Sequence, residues 1–300
     1  MGNFELSVVI PSVNSYRDLK GAIAALNAQA GIEGVEIIVV DRLGEQVREQ
    51  VRQNFPGTVV IPVDHGTTIP KMREIGIKAV REGVAAVGVI EDHVIVPTGW
   101  ARAMLDALAD GHDVVGGAIE NAATESYMDW SSFLCEYSGS LPPVPSGPQP
   151  GVPGNNVIYR REVLDRYHWV LEEGKWENRL HDAMRADGIE LIMRPDIIVG
   201  HKMHYTFGLY FSQRYLYSRS YAGARVTGVS LPKRLAMGAA AFALPPLMFV
   251  RTIKTVWGKG VHKGHLIKSI PVLVPFCVAW GAGEIVGYWF GAGHAMSKVR

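Results

Sequence analysis

The triplet Glu91-Asp92-His93 sets two carboxylates and an imidazole directly behind a short run of apolar, β-branched residues. Carboxylate and imidazole ligands together suit Mn²⁺, whereas Mg²⁺ prefers oxygen ligands and retained water. The sequence therefore predicts a divalent-metal site, with Mn²⁺ favoured over Mg²⁺. A purely structural Glu-Asp-His turn is the alternative.

The elements that must position this triplet alternate between strand and helix patterns over the first ninety residues. Continuous β-branched runs separated by helical periods predict a parallel sheet covered on both faces, in which ligands bind at the carboxyl ends of the strands. The residues after Ile10, Val40 and Ile90 are therefore the ones to inspect. The predicted strands are 6–11, 35–41, 58–63 and 86–90, and the predicted helices are 18–30, 45–54 and 70–82.

The middle of the chain begins with a loop and then regains periodicity. Residues 139–154 are rich in Gly, Pro and Ser, which is typical of a loop rather than a domain linker. Helical patterns follow at 161–167 and 176–187. Strand patterns then follow at 190–193 and 196–201.

The last seventy residues differ in composition from the rest. From residue 230 onward there are nine basic residues and a single acid, Glu284, although the whole chain has a net charge of only +1. Two uncharged stretches, 235–250 and 269–283 (extended to 293 beyond Glu284), approach the roughly 20 residues that a membrane-spanning helix needs. The composition predicts a membrane-associated helical region at 230–300 behind a separate domain at 1–229, the alternative being buried helices of a soluble domain.

Several classes of protein are not expected. Cys135 and Cys277 cannot form a disulfide framework, so a reducing compartment is expected. The N-terminus lacks a basic region, so no secretory signal is expected. The positive charge lies in an apolar tail rather than a polar groove, so no nucleic-acid partner is expected. An oligomer is compatible with the sequence.

Four segments in order resemble the family-2 glycosyltransferases, and the resemblance covers roughly residues 5–225. They are Ser7 to Asn14, Glu36 to Asp41, Ile90 to His93 with Pro97 and Gly99-Trp100, and Gly154 to Glu162. The resemblance implies an α/β fold of the GT-A nucleotide-sugar-binding type, with a mostly parallel central sheet flanked by helices.

The first two segments imply contacts with the donor nucleotide. Pro11, Ser12 and Asn14 match the family's Pro-Thr-Tyr-Asn motif, with Val13 in place of the tyrosine. Asp41 ends the second strand, where the family uses a carboxylate to bind the base or ribose. A helix N-cap is the alternative role for Asp41.

Further donor contacts are implied along the chain. Arg73 matches the family's Ala-Arg-Asn-x-Gly helix and would approach the diphosphate, although a lone arginine is more often a surface residue. Asn155 and Asn156 belong to the fourth segment and join the predicted donor site. Arg214 lies in a segment that loosely resembles the Gln-x-x-Arg-Trp motif of processive synthases. That segment lacks the tryptophan, which favours a single-transfer enzyme; Arg214 would hold phosphates of a donor or a lipid carrier, or lie at the membrane surface.

The triplet stands where the family carries its Asp-x-Asp metal motif, which implies Asp92 and His93 as ligands and adds Glu91 and Asp92 to the donor site. His201 and His204 follow the last strand pattern, in a region that often closes over the diphosphate in this fold. They are therefore further candidate metal ligands. The metal's work would be Lewis-acid stabilisation of the nucleoside-diphosphate leaving group.

The acceptor side needs a carboxylate base. Glu177 resembles the start of the family's Glu-Asp-x-x-Leu helix, and Asn178 stands where the second acid is usual. Asn cannot take a proton, so the role is assigned to Glu177, with Asp182 as the fallback. An acid favoured by the helix dipole is the structural alternative.

The function implied is an inverting glycosyltransferase that moves a sugar from a nucleotide-sugar donor, UDP favoured by the family's habit, to a lipid-linked or membrane-held acceptor. The catalytic domain would be cytoplasmic and docked on the bilayer. Two alternatives stay open: a nucleotidyltransferase, which would want a glycine-rich loop near the N-terminus, and a non-catalytic membrane-docked nucleotide-binding or scaffold protein.

Overall fold

The computed structural model describes residues 5–300, so the first four residues of the predicted catalytic domain lie outside the described residues. The chain folds into two compact units. The first unit runs to Ala122 and resumes with Ser140–Lys202, and the second contains Ala123–Gly139 and Met203–Arg300. These units are defined by packing, so the predicted functional boundary at residues 229 and 230 stays a prediction.

Regular elements cover most of the described chain. The strands are β1 Leu6–Ser12, β2 Val35–Asp41, β3 Val59–Pro62, β4 Ala86–Ile90, β5 Val94–Ile95, β6 Val114–Asn121, β7 Gly147–Gln149, β8 Asn156–Arg160 and β9 Leu191–His201. The helices are α1 Tyr16–Asn27, α2 Glu45–Asn54, α3 Ile69–Lys78, α4 Trp100–Ala109, α5 Tyr127–Tyr137, α6 Arg161–Arg166, α7 His168–Glu172, α8 Glu177–Ala186, α9 Phe207–Arg225, α10 Leu231–Ala240, α11 Leu244–Lys259 and α12 Lys263–Phe290. Short 3-10 turns lie at Ala241–Ala243 and Met296–Lys298.

The first unit is built on one sheet in the order β3-β2-β1-β4-β8-β6-β9-β5, with β7 paired to β9. Strands β3, β2, β1 and β4 are parallel, as their continuous β-branched sequences predict. Strand β8 then runs antiparallel between β4 and β6, so the sheet as a whole is mixed. The predicted α/β class, a central sheet flanked by helices, is confirmed.

The end of the sheet differs from the sequence prediction in one respect. The two strands predicted at 190–193 and 196–201 form the single strand β9, interrupted where its pairing with β6 shifts between Gly117 and Ala118. Arg194 pairs with Gly117 and Ile198 pairs with Ala118, so the residues between them, including Pro195, have no partner on β6. Proline lacks the N–H that a strand ladder needs, which explains the bulge.

The second unit is helical and is organised around the long helix α12. This helix packs against α9, α5, α11 and α10, and Ala222, Val226, Ala241 and Tyr288 form a buried cluster between them. Two helical stretches, Leu231–Lys259 and Lys263–Phe290, are long and apolar enough to cross a membrane by length and composition. They are therefore compatible with the predicted membrane association.

Candidate active site

The carboxyl ends of β1 and β2 and the residues after β4 meet at one edge of the sheet, as the parallel pairing requires. Ser12 and Asp41 are paired across β1 and β2, and the Ser12 hydroxyl donates to Asp41 Oδ1 over 2.8 Å. Asp41 Oδ2 accepts from the Gly44 amide at 3.1 Å and lies 3.4 Å from an Arg48 guanidinium nitrogen. Asp41 is fully buried, and its hydrogen bond to Gly44 fixes the residue that precedes α2.

Asp92, which follows β4, forms hydrogen bonds with the chain at the end of β1 and with His93. Its Oδ2 accepts from the main-chain amides of Val13 and Asn14, at 2.7 and 2.9 Å. Its Oδ1 accepts from the Asn14 side-chain amide at 2.8 Å and lies 3.0 Å from His93 Nδ1. Because an ionised carboxylate only accepts hydrogen bonds, this contact places a proton of His93 on Nδ1 and turns Nε2 away from Asp92.

His93 Nε2 faces a second imidazole and a carboxylate. It lies 2.8 Å from His201 Nε2 and 3.3 Å from Glu91 Oε2. The pairing of Val94 with His201, the last residue of β9, brings the two histidines together. The ligand atoms of Glu91, His93 and His201 all lie within 4.8 Å of one another. One carboxylate and two imidazoles form a donor set that fits Mn²⁺ better than Mg²⁺.

The charges in this cluster favour a cation. Burial lowers the pKa of His93, but the hydrogen bonds and charges of Asp92 and Glu91 outweigh it and raise that pKa to about 10. Burial and the neighbouring charge of His93 lower the pKa of His201 to about 3. The pKa of Glu91 lies well below its usual range, because hydrogen bonding and charge from His93 outweigh the effect of burial. The two carboxylates thus favour the imidazolium form of His93. A metal ion bound at Nε2 would replace the second proton of that ring.

Arg73 lies between this cluster and the predicted base. Helix α3 carries it; Thr68 caps the helix by accepting from the Lys71 amide, and Pro70 lies in its first turn. Arg73 Nη1 donates to Glu177 Oε2 at 2.7 Å, and Nη2 lies 4.0 Å from Glu91 Oε1. Its Nε is buried without a hydrogen-bond partner among the described residues. The predicted surface alternative for Arg73 does not hold, because the residue is only 8% exposed.

Glu177 is the first residue of α8 and stands close to the chain at Gly154. A Cβ added to Gly154 would lie 2.6 Å from Glu177 Cγ and Cδ, well inside van der Waals contact. The next residue, Asn155, donates its side-chain amide to Glu91 Oε2 at 2.8 Å. The loop before β8 thus contacts both carboxylates that flank Arg73.

Two further predicted residues have other surroundings. Asn156 is fully buried; its amide donates to the Ala118 and Ile197 carbonyls, and its oxygen accepts from Trp100 Nε1. All of these partners lie in the sheet and the helix behind it. Asp182 has a side chain that is 67% exposed and lies 3.8 Å from Arg185 on the outer surface of α8.

Two predicted residues belong to the second unit. His204 Nδ1 lies 3.2 Å from Asp129 Oδ1 and 3.7 Å from Glu125 Oε2, so its cluster is distinct from that of Glu91. Arg214 is buried on α9, with its guanidinium 4.1 Å from the centre of the Trp280 ring.

The sequence analysis missed a buried pair behind the predicted base. Tyr159 of β8 and His181 Nε2 are 2.8 Å apart, and His181 stands one helical turn after Glu177. Burial lowers the pKa of His181 to about 4, so the ring is neutral at pH 7. The spacing of four residues from Glu177 was the available signal.

Comparison with protein families identifies the chain. The family model described as glycosyl transferase family 2 matches residues 7–167, more than half of the sequence. The chain belongs to glycosyltransferase family 2. The resemblance seen in the sequence is thereby confirmed, as is the assignment of this family-2 enzyme as a glycosyltransferase. Comparison with curated proteins found no match.

Solved structures confirm the GT-A fold of this glycosyltransferase. The mannosyltransferase PcManGT from Pyrobaculum calidifontis, in complex with GDP-Man and Mn²⁺, matches with a TM-score of 0.55 at 14% identity, over 92% of this chain and 86% of that one. S. aureus TarS matches with a TM-score of 0.52 at 11% identity, over 94% of this chain and 55% of that one. At such identities the likeness shows the fold alone.

Proposed function

We propose that this enzyme is an inverting, metal-assisted glycosyltransferase that moves a sugar from a nucleotide sugar to a membrane-held acceptor. The observation that carries the proposal is the position of Arg73. Its guanidinium contacts the carboxylate of the metal-ligating cluster on one side and the candidate base Glu177 on the other. A diphosphate and an acceptor hydroxyl need these two kinds of group next to each other.

The metal ligands we propose are Glu91, His93 and His201. The prediction also named Asp92 and His204, but the Asp92 oxygens already accept hydrogen bonds from Val13 and Asn14, and His204 contacts other carboxylates. Asp92 would instead orient His93 through Nδ1. When bound, Mn²⁺ supplies Lewis-acid stabilisation of the departing nucleoside diphosphate. The complex of PcManGT with Mn²⁺ supports the choice of metal.

The donor nucleotide would bind along the edge formed by Pro11, Ser12, Asn14 and Asp41, where ligands bind in sheets of this kind. Asn155 and Arg73 would lie on the diphosphate side, with Asn155 holding Glu91 in place. The side chains of Asn156 and Arg214 have surroundings that favour structural roles. UDP is the favoured nucleotide from the family's habit, whereas the similar PcManGT is in complex with GDP-Man.

Glu177 would act as the general base. In the structure its carboxylate is paired with Arg73, and a bound diphosphate would compete for the same guanidinium. Donor binding would therefore release Glu177 from its ion pair and free it to accept the proton of the acceptor hydroxyl. The acceptor oxygen would then attack the anomeric carbon opposite the leaving nucleotide, which inverts the configuration. Exposed Asp182 remains the fallback base.

The acceptor would be lipid-linked or otherwise held at the cytoplasmic face of a membrane. The apolar helices α10, α11 and α12, together with the excess of basic residues after residue 230, support this part of the proposal.

The test is a calorimetric titration of the detergent-purified protein with UDP, GDP and dTDP, each with and without Mn²⁺. We expect one nucleotide to bind tightly only with metal, and we expect His201→Ala to abolish that dependence. Glu177→Gln should keep nucleotide binding and lose about 10²–10⁴-fold in transfer rate. If no nucleotide binds under any condition, the donor site is wrong and a scaffold function leads; a fully active Glu177→Gln variant would reject the base.

A further inference from the structure

Helix α12 has an exposed apolar stripe on one face of its first half. Ile267, Ile270, Val274 and Val278 are all exposed, and their spacing of three and four residues places them on one side of the helix. The opposite side is buried, with Leu266, Leu273 and Phe276 packed inside the second unit. In this part of α12, one side of the helix therefore belongs to a protein core, while the other side is an apolar face that no other part of the described chain covers.

Helix α11 continues this apolar surface across the turn. Leu247, Val250 and Trp257 are exposed at spacings that place them on one side. The Lys263 ammonium at the start of α12 lies 5.0 Å from the centre of the Trp257 ring. The two stripes thus meet at the turn between the helices.

The charges beside the stripes are positive. Arg251, Lys254, Lys263 and Lys268 are exposed, and the only acid after residue 230, Glu284, is buried and accepts a hydrogen bond from Trp280. An apolar face edged with lysine and arginine, and with tryptophan at its end, complements a bilayer that carries anionic headgroups.

The second half of α12 is closed off by α9. A Cβ on Gly283 would overlap Ser218 Oγ and the Tyr215 carbonyl, and one on Gly287 would lie 2.6 Å from the Arg219 carbonyl. The glycines therefore allow backbone contact between the two helices. If this half of α12 crossed a membrane, α9 would have to enter with it.

Three arginines form hydrogen bonds at the end of α12, which places this end outside the hydrocarbon core of a bilayer. Arg234 donates to the Tyr288 and Trp289 carbonyls at 2.9 and 2.8 Å. Arg225 donates to the Tyr288 hydroxyl, and Arg219 donates to the Gly291 carbonyl. Three guanidiniums at one level of a bilayer core are strongly unfavourable, so this level lies at the polar side.

The length of the stripe agrees with shallow insertion. Val278 lies eleven positions after Ile267, which is about 17 Å of helix at 1.5 Å per residue, against a hydrocarbon core of roughly 30 Å. We propose that the α11–α12 hairpin docks on an anionic phospholipid bilayer and enters one leaflet only, so that α12 does not span it. This rests on the proposed membrane-held acceptor and specifies how the enzyme reaches it.

Binding is tested by flotation of the full chain with vesicles of phosphatidylcholine alone or with phosphatidylglycerol. We expect binding to the anionic vesicles that weakens with salt. Lys254→Gln with Lys268→Gln should weaken it about 25-fold, at roughly 5-fold for each lysine, whereas the matched pair Arg17→Gln with Lys20→Gln on α1 should not change it. Ile267→Glu with Val274→Glu should abolish binding. If the chain binds neutral vesicles equally well, or if the lysine variants bind like the unmodified chain, the proposal that the bilayer must be anionic is rejected.

Topology is tested by labelling single introduced cysteines with a membrane-impermeant maleimide, in right-side-out and inside-out vesicles of the expression host. Gly264→Cys at the start of α12 and His294→Cys beyond its end are both exposed sites, and the native Cys135 and Cys277 are buried, so the unmodified chain is the blank. Labelling of both positions from the same side supports insertion into one leaflet. Labelling from opposite sides shows that α12 spans and overturns the proposal.

These results are separable from failure of the proposed function. The proposed donor site consists of residues of the first unit, so metal-dependent nucleotide binding by the unmodified chain reports whether that site exists. Far-UV circular dichroism and melting curves report whether the variants of the second unit are folded. A chain that binds anionic vesicles in the expected way without binding any nucleotide would reject the transferase mechanism and leave the docking mode standing.

Discussion

Replacing Gly154 with alanine tests whether the position of Glu177 matters for transfer. The backbone of Gly154 is not in the left-handed region, so alanine causes no conformational strain there. Its Cβ would, however, lie 2.6 Å from Glu177 Cγ and Cδ, where carbon atoms normally keep about 3.5–4.0 Å. The Glu177 carboxylate must therefore move by about 1 Å, and its 2.7 Å contact with Arg73 is lost or reshaped. A displacement of this size in a catalytic group lowers turnover by about 100-fold.

The assay is the transfer rate at saturating donor and Mn²⁺, alongside calorimetric binding of the nucleotide. Gly151→Ala is the matched control, because Gly151 lies in the same loop with no atom near its Cβ position and should keep full activity. We expect Gly154→Ala to keep nucleotide affinity and lose turnover. Full turnover by a folded Gly154→Ala variant would refute the reasoning that Glu177 must stand where the structure has it. Equal losses in both glycine variants would point to the loop rather than to the carboxylate.

Three further outcomes follow from the site. His201→Ala should remove the Mn²⁺ dependence of nucleotide binding, whereas His204→Ala should leave it intact, as measured by titration calorimetry. The reverse pattern would assign the metal site to the cluster around His204 in the second unit. Asp182→Asn should retain at least half of the transfer rate, since its side chain is exposed, and a loss as large as that of Glu177→Gln would make Asp182 the base. The pKa of His181 is lowered to about 4 in the folded protein from about 6.5 in the unfolded chain. The neutral ring therefore contributes fully to the stability of the fold above pH 6.5, and this contribution is lost as the pH falls towards 4. Between pH 7 and pH 5 the free energy of unfolding should fall by about 2 kcal/mol more in the native protein than in His181→Gln, and identical pH dependence in denaturant titrations would contradict the burial of a neutral ring.

The parallel half of the sheet was predictable because its signals are local. The β-branched run of β2 and the polar helical pattern of α2 predicted the observed bounds. Strand β6 was missed because Gly116 and Gly117 weaken its pattern. These glycines are required by packing: a Cβ on Gly116 would overlap Val152, and one on Gly117 would overlap the Ile197 carbonyl. A glycine that is needed for close packing against a residue far away in the sequence does not have the β propensity that would mark its segment as a strand.

The candidate site was predictable as a set of residue types and less so as a set of partners. The triplet at 91–93 and the glutamate at 177 stand out by motif, yet nothing local distinguishes His201 from His204 as a companion of His93. The pairing of β5 with β9 makes that choice, since it aligns Val94 with His201. Ligand sets depend on such long-range pairings, which spacing along the chain does not report.

The departure of Glu91-Asp92-His93 from an Asp-x-Asp motif has a physical explanation in the structure. The middle acid, Asp92, is fully buried and accepts hydrogen bonds from two consecutive main-chain amides at the end of β1. Both of these amides donate to Oδ2, while Oδ1 accepts from the Asn14 side-chain amide and lies 3.0 Å from His93 Nδ1. An asparagine would put an NH2 group, which only donates, at one of these two positions, so a carboxylate is needed there for structural reasons. The same carboxylate orients His93 through Nδ1. With the metal ligands proposed above, His93 Nε2 would take the place of a second acidic oxygen, so the motif would exchange an oxygen ligand for a nitrogen ligand and keep the acid that positions it. Asp92→Asn should thus lower thermal stability as well as metal affinity, whereas His201→Gln, which keeps a polar side chain of similar size in the buried cluster, should lower metal affinity with a smaller loss of thermal stability. Melting curves recorded with and without Mn²⁺ separate the two effects, and an unchanged melting temperature for metal-free Asp92→Asn would contradict this account.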